Sequence, residues 1–135
     1  MRTIPAALLA IVMTLPSPAF AQMPRDAAIA KAETLLKNLQ DGNMAAVVKE
    51  LDARLSKEIP EAKLKPAWPS MVGQFGAFKT ITERREGQME NRQAVELFLA
   101  FEKETIVYRT VFDAEGKVAG LVFRPATLAV LPPTR

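Results

Sequence analysis

The sequence predicts an α+β domain in which N-terminal helices pack on a curved four-stranded antiparallel sheet. Three observations predict it. Up to Phe75 the large apolar residues recur every three or four positions, the spacing that gathers them on one face of a helix. From Phe78 onward the recurrence drops to two, the spacing of strands with one buried face. The chain has neither cysteine nor histidine, so it has to rest on an ordinary hydrophobic core rather than on disulfides or a structural zinc.

The chain opens with the layout of a cleaved export signal. Arg2 precedes an apolar run at 6–15, Pro16 and Pro18 break it, and Ala19, Phe20 and Ala21 form a small-x-small cleavage site. The run is about half of the roughly 20 apolar residues needed to span a bilayer, so no membrane span is expected in the mature chain. Cleavage near Ala21 predicts a periplasmic or secreted protein, and with no cysteine at that point no lipid anchor is expected. The expected division is a signal peptide at 1–21, a frayed N-terminus at 22–25, one α+β domain at 26–125 and a C-terminal tail at 126–135. The formal net charge of +3 comes from interspersed charges, with no run of five or six of one sign. A nucleic-acid partner, which would want a basic stripe set with aromatic residues, is not expected.

Asp26 is the expected N-cap of the first helix, and Ile29, Ala32, Leu35, Leu36 and Leu39 form its apolar stripe. Gly42 ends it by taking the left-handed conformation. Asn43 caps a second helix, on which Met44, Val47, Val48, Leu51 and Leu55 share one face as far as Ile59 and Pro60. A third carries Leu64, Trp68, Met71, Val72 and Phe75. Pro66 suits its first turn, and Pro69 predicts a bent or late-starting helix.

In the second half, 78–85 reads as a polar edge strand and 86–91 as a loop. Val95, Leu97, Leu99 and Phe101 then alternate with Ala94, Glu96, Phe98 and Ala100. A two-residue turn at Lys103 and Glu104 sets Phe101 opposite Ile106, Leu99 opposite Tyr108 and Leu97 opposite Thr110, which collects the large apolar groups on one face. The other face, with Glu96, Phe98, Ala100, Val107, Arg109 and Val111, is mixed and meets solvent or a partner. Asp113 and Gly116 predict a turn, because the Asp side chain can accept from the backbone two residues on and the glycine can take positive φ. This turn lacks the ligand spacing of a calcium loop. The last strand is 118–124, stopped by Pro125.

Local wording points to a family. Leu64-x-x-x-Trp68 leads to Gly76-Ala77-Phe78-Lys79, then Phe101-Glu102-Lys103, then Val111-Phe112-Asp113-x-x-Gly116-Lys117-x-x-Gly120-Leu121-x-Phe123-Arg124-Pro125. In this order, over about residues 30–125, the chain resembles the bacterial family called domain of unknown function 3887. The resemblance implies a cystatin-like, nuclear-transport-factor-2-like cone and brings no catalytic residues. Glu104 stands where the family usually has a glycine, which implies a wider first hairpin turn. Pro66 and Pro69 also interrupt what tends in the family to be a continuous helix. Such domains occur alone or ahead of an α/β-hydrolase domain. With the chain ending soon after its last strand, a hydrolase is expected to be a separate protein.

A curved sheet under helices leaves a hollow at its open end, and an apolar hollow with a few polar groups is a default ligand site. Tyr108 and Thr110 share the apolar face, Arg124 joins them if Phe112 pairs with Val118, and Trp68 would form a wall. The competing reading makes Tyr108 and Trp68 core aromatics with polar tips at water and lets Arg124 snorkel to the rim. No carboxylate is placed as a base there. Glu96 falls on the mixed face as a diagonal neighbour of Arg109, Asp113 serves a turn, and Glu83 lies near an edge. Gly-x-Ser-x-Gly, phosphate-loop and dinucleotide patterns are absent from the sequence. Accordingly no catalytic residue, metal ligand or cofactor is expected. The expected function is an exported, non-catalytic binding or accessory module for a small apolar ligand or a periplasmic protein partner. The alternatives are an isomerase- or dehydratase-like enzyme using the same cavity, and a structural homodimer formed through the sheet, with Phe98, Val107, Arg109 and Leu121 at its interface and Val111 and Phe123 adding apolar surface.

Overall fold

The structure, a computed structural model, describes residues 22–133; the expected signal at 1–21 lies outside the described residues. Five helices come first and a four-stranded antiparallel sheet follows, in the order β1-β2-β3-β4 with β1 at one edge. This is the α+β arrangement that the change of period predicts, and the sheet is open.

Helix α1 (Arg25–Asp41) carries the expected stripe, and Ala28, Ile29, Ala32, Leu35, Leu36 and Leu39 are all buried. Burying one such leucine is worth about 1.5–3 kcal/mol, so this face is a main anchor of the helical layer. The helix starts earlier than expected, with Pro24 as N-cap. Asp26 makes no capping bond and instead sits in the first turn, where its charge suits the positive end of the helix. Ahead of it, Met23 is held from both sides. Its N–H donates to Gln93 Oε1 at 3.0 Å, and Gln93 Nε2 donates to its carbonyl at 2.9 Å. Gly42 ends α1 at φ 78°, as expected.

The second helix of the sequence reading is two. Helix α2 (Met44–Glu50) is capped by Asn43, whose side chain accepts from Ala46 N–H, and helix α3 (Ala53–Glu58) is capped by Asp52, which accepts from Leu55 N–H at 2.7 Å. Between them Leu51 is extended and forms a parallel bridge with Val118, while Asp52 N–H donates to the Val118 carbonyl at 2.8 Å. A backbone partner on the sheet edge thus replaces one helical turn, and Leu51 and Leu55 are buried either way. The third stretch also divides, into α4 (Glu61–Leu64) and α5 (Ala67–Phe75). Pro69 falls in the first turn of α5, where its missing N–H would have had no helical partner, so the helix starts late rather than bending. Gly76 follows at φ 86°, ψ −169°, and a Cβ there would meet Glu102 Cβ at 2.8 Å. Only glycine suits that backbone and that approach.

Strand β1 (Phe78–Met89) runs through the stretch expected as a loop and joins β2 (Arg92–Phe101) by a tight turn in which Glu90 and Asn91 both have positive φ, 50° and 66°. The edge is polar, as expected, and interrupted by irregularities around Lys79 and Thr82, the kind of defence that keeps an open edge from pairing with other chains. Strand β3 (Thr105–Phe112) pairs with β2 two residues away from the expected register. Leu99 faces Ile106, Leu97 faces Tyr108 and Val95 faces Thr110. The connection is wider than a two-residue turn and closes with Phe101 N–H donating to the Glu104 carbonyl at 2.9 Å. A shift of two leaves every side chain on its expected face. Asp113 then behaves as predicted, accepting from Glu115 and Lys117 N–H at 2.9 Å each, and Gly116 has φ 80°.

Strand β4 (Val118–Pro125) brings the consequential correction. Val111 pairs with Gly120 but Phe112 pairs with Val118, so Ala119 is an extra residue in a bulge. Beyond it the parity reverses. Leu121 lies opposite Thr110 and Phe123 opposite Tyr108, on the inner face under the helices, whereas Arg124 lies opposite Val107 on the outer face. Leu121 is therefore core and not a residue of the outer face, and Arg124 does not join Tyr108 and Thr110. After a 3₁₀ turn (Ala126–Leu128), the tail crosses back over the outer face as far as Leu131, which is 3% exposed.

Candidate functional site

Three places gather groups with chemical potential. The first is the inner face of β3. Tyr108 and Thr110, two apart and therefore on the same side, are both fully buried beneath the helices. Neither hydroxyl has a hydrogen-bond partner of ordinary geometry among the described residues. Burial pushes the Tyr108 phenol well above its ordinary value, and the Thr110 hydroxyl beside it offsets only part of that. Tyr108 shares its buried cluster with Leu35, Leu36, Leu39, Leu97, Leu99, Phe112 and Val118, which are all fully buried or nearly so. The groups that share the expected face thus belong to one buried apolar cluster. Trp68 is half-buried at the corner of that cluster, edge-on to Phe78 and tilted on Phe101, each at 5.5 Å between ring centroids. The ring neighbour of Tyr108 is Phe123, at 5.1 Å.

The second place is a depression of about 200 Å³ where α5 meets the ends of β3 and β4. Met71, Phe75, Ile106 and Phe123 line it, with Gln74, Arg124 and Pro125 beside them. The bulge at Ala119 makes it, by turning Phe123 inward and leaving the exposed Arg124 guanidinium at the rim. Against Phe123 lies the ring of Tyr108. Arg124 and the Tyr108 layer are thus adjacent through Phe123, though on opposite faces of the sheet.

The third place is the outer face, and here Glu96 has a role that sequence reasoning missed. It pairs directly, not diagonally, with Arg109, and its carboxylate is 0% exposed. Glu96 Oε2 accepts from Arg109 Nε at 3.0 Å and Nη2 at 2.8 Å, and the carboxylate also accepts from Val130 N–H at 3.0 Å and Leu131 N–H at 2.7 Å. Arg109 Nη2 donates as well to the Leu128 carbonyl at 2.9 Å. One strand over, Arg85 donates to the Leu131 carbonyl at 2.9 Å, pairs with Glu83 and lies over the Phe98 ring at 4.5 Å. A buried carboxylate so fully bonded is a structural anchor and not a base. Of the residues expected to pair sheet to sheet, Val107 is fully buried, Phe98 is shielded by Arg85, and Val111 is half-buried. A lone Glu inside the apolar strand, opposite an Arg, was the available signal.

Among the described residues no group of three or more acidic side chains converges as a metal would require, and no helix is long and apolar enough to cross a membrane. The fold and these sites define a small α+β domain with helices on one face of an open antiparallel sheet and a tail strapped over the other. Residues 32–121 match the model of the family described as protein of unknown function (DUF3887), and the chain belongs to that family. No curated protein and no solved structure matches it.

Proposed function

We propose that the protein is an exported, non-catalytic binding module that takes a small apolar ligand in the depression between α5 and the ends of β3 and β4. The observation that carries this reading is the composition of that depression. Four large apolar side chains, Met71, Phe75, Ile106 and Phe123, converge on it, and polar groups stand beside them at Gln74 and Arg124. Apolar walls with a few polar groups suit a ligand that is apolar at one end and polar at the other. At about 200 Å³ it takes a chain end or a single ring, not a drug-sized molecule. The Tyr108 ring, 5.1 Å from that of Phe123 between centroids, continues the apolar lining inward.

The test uses the chain's single tryptophan, which reaches Phe75 through Phe101. Short-chain carboxylates and their neutral analogues should shift Trp68 emission and raise the melting temperature; a ligand at a hundred times its Kd adds about 2.7 kcal/mol. Phe123→Ser should abolish both effects, and Arg124→Glu should weaken the carboxylates more than the neutral compounds. A broad panel that moves neither emission nor melting temperature sinks the reading. Export rests on Arg2, the apolar run at 6–15 and the site at Ala19 and Ala21. The mass of the protein recovered from the periplasm or medium should correspond to a chain beginning at Gln22. An intact mass beginning at Met1 would remove the export claim without touching the depression.

A further inference from the structure

We propose that the outer face of the sheet is a peptide-binding site, occupied in cis by the chain's own residues 128–131, that fits an extended segment of a partner protein carrying one aliphatic side chain. Across β1, β2 and β3 lie Arg85, Glu96 and Arg109, a row of alternating charge in consecutive register. Each member reads main chain. Arg109 donates to the Leu128 carbonyl, Glu96 accepts from Val130 and Leu131 N–H, and Arg85 donates to the Leu131 carbonyl. Beside this row is one with little side-chain bulk: Gly87, Ala94, Val111 and Gly120 lie opposite one another. Leu131 drops into it over Gly87, where a Cβ would meet Leu131 Cδ2 at 3.2 Å.

What the tail supplies is therefore generic. Leu128 and Val130 leave their side chains 54% and 56% exposed, and only Leu131 is buried. Recognition through backbone groups with one side-chain pocket is how extended segments are bound on sheets generally, and any segment with two successive free N–H groups and an aliphatic residue at the second meets the same donors and acceptors. The receptor groups belong to the sheet and remain when the tail leaves. The cis tail, tethered at Pro125, keeps the site closed until a competitor arrives at sufficient local concentration.

The experiment keeps the full chain and loosens only the tail. Leu131→Asp should release residues 128–131, lowering the melting temperature, and an acetylated synthetic peptide of residues 126–133 should then bind saturably and restore most of that loss. The same peptide with Asp at the Leu131 position should do neither. The wild-type chain, its site filled, should bind the labelled peptide at least tenfold more weakly. Adding Gly87→Val to Leu131→Asp should abolish uptake, because the trough is then occupied from the sheet side. A folded Leu131→Asp chain that takes up no peptide overturns the proposal. Should that variant not fold, amide exchange in the wild-type chain decides: Val130 and Leu131 amides protected, yet opening more readily than the β2 amides, are the expected result. Opening only with global unfolding makes the tail an inseparable part of the core and overturns it.

Discussion

Replacing Glu96 by leucine should cost about 3 kcal/mol of folding stability, a fall of about 15 °C in melting temperature for a domain of this size. The carboxylate is fully buried, and its removal leaves Arg109, whose side chain is 12% exposed, without its counter-charge. It also leaves two backbone N–H groups of the tail, at Val130 and Leu131, without acceptors. Losing one partner of a buried pair is expensive because the other stays behind unpaired. The double change Glu96→Leu with Arg109→Leu should therefore be less destabilising than Glu96→Leu alone, a non-additivity that a thermal double-mutant cycle reads directly. If the two single costs simply add, Glu96 and Arg109 are not coupled in the way their geometry requires. Because Glu96 also holds the tail, the same variant should expose the Val130 and Leu131 amides to exchange. That result would tie the stability of the outer face to the strap.

Much of the inner layer was legible because its signals are local and repeat. The α1 stripe and the alternation of β2 and β3 place Leu35, Leu39, Leu97 and Tyr108 on the buried side whatever the exact register, since a slip of two residues preserves every face. The helix break at Leu51 left no trace in the pattern, because a residue bridged to Val118 is buried just as a residue on a helical face would be. The bulge at Ala119 was equally silent. One extra residue reverses the parity of everything after it, and so it moved Leu121 into the core, Phe123 onto the inner face and Arg124 onto the outer one. The candidate depression exists only because of that reversal. The Glu96 anchor escaped for another reason: two of its partners are backbone N–H groups, which every residue but proline carries and which no sequence pattern marks.

Raising the pH above 10 should destabilise the protein through one residue, and Tyr108→Phe should remove that component. Tyr108 is the chain's single tyrosine, and burial holds its folded phenol well above the ordinary value of 10.0. Below that value the phenol is protonated in folded and unfolded chains alike, and the group contributes no pH dependence. Above it the unfolded chain ionises while the folded chain keeps its proton, so stability falls by about 1.4 kcal/mol for each further pH unit. Urea unfolding at about pH 8 and about pH 11.5 should therefore show an extra loss of about 2 kcal/mol in the wild type relative to Tyr108→Phe. Every other ionisable group is common to both chains and cancels in the comparison. Phenolate absorbance gives an independent readout, since it should appear together with the loss of structure and not before it. At neutral pH the substitution should cost little, within about 1 kcal/mol, because the hydroxyl it removes has no ordinary hydrogen-bond partner to lose. A folded chain that forms phenolate near pH 10, or a Phe variant with the same alkaline slope, would mean that Tyr108 reaches water. The sheet and helices would then enclose a solvent path behind Phe123, and the depression at its mouth would be deeper than its lining residues define.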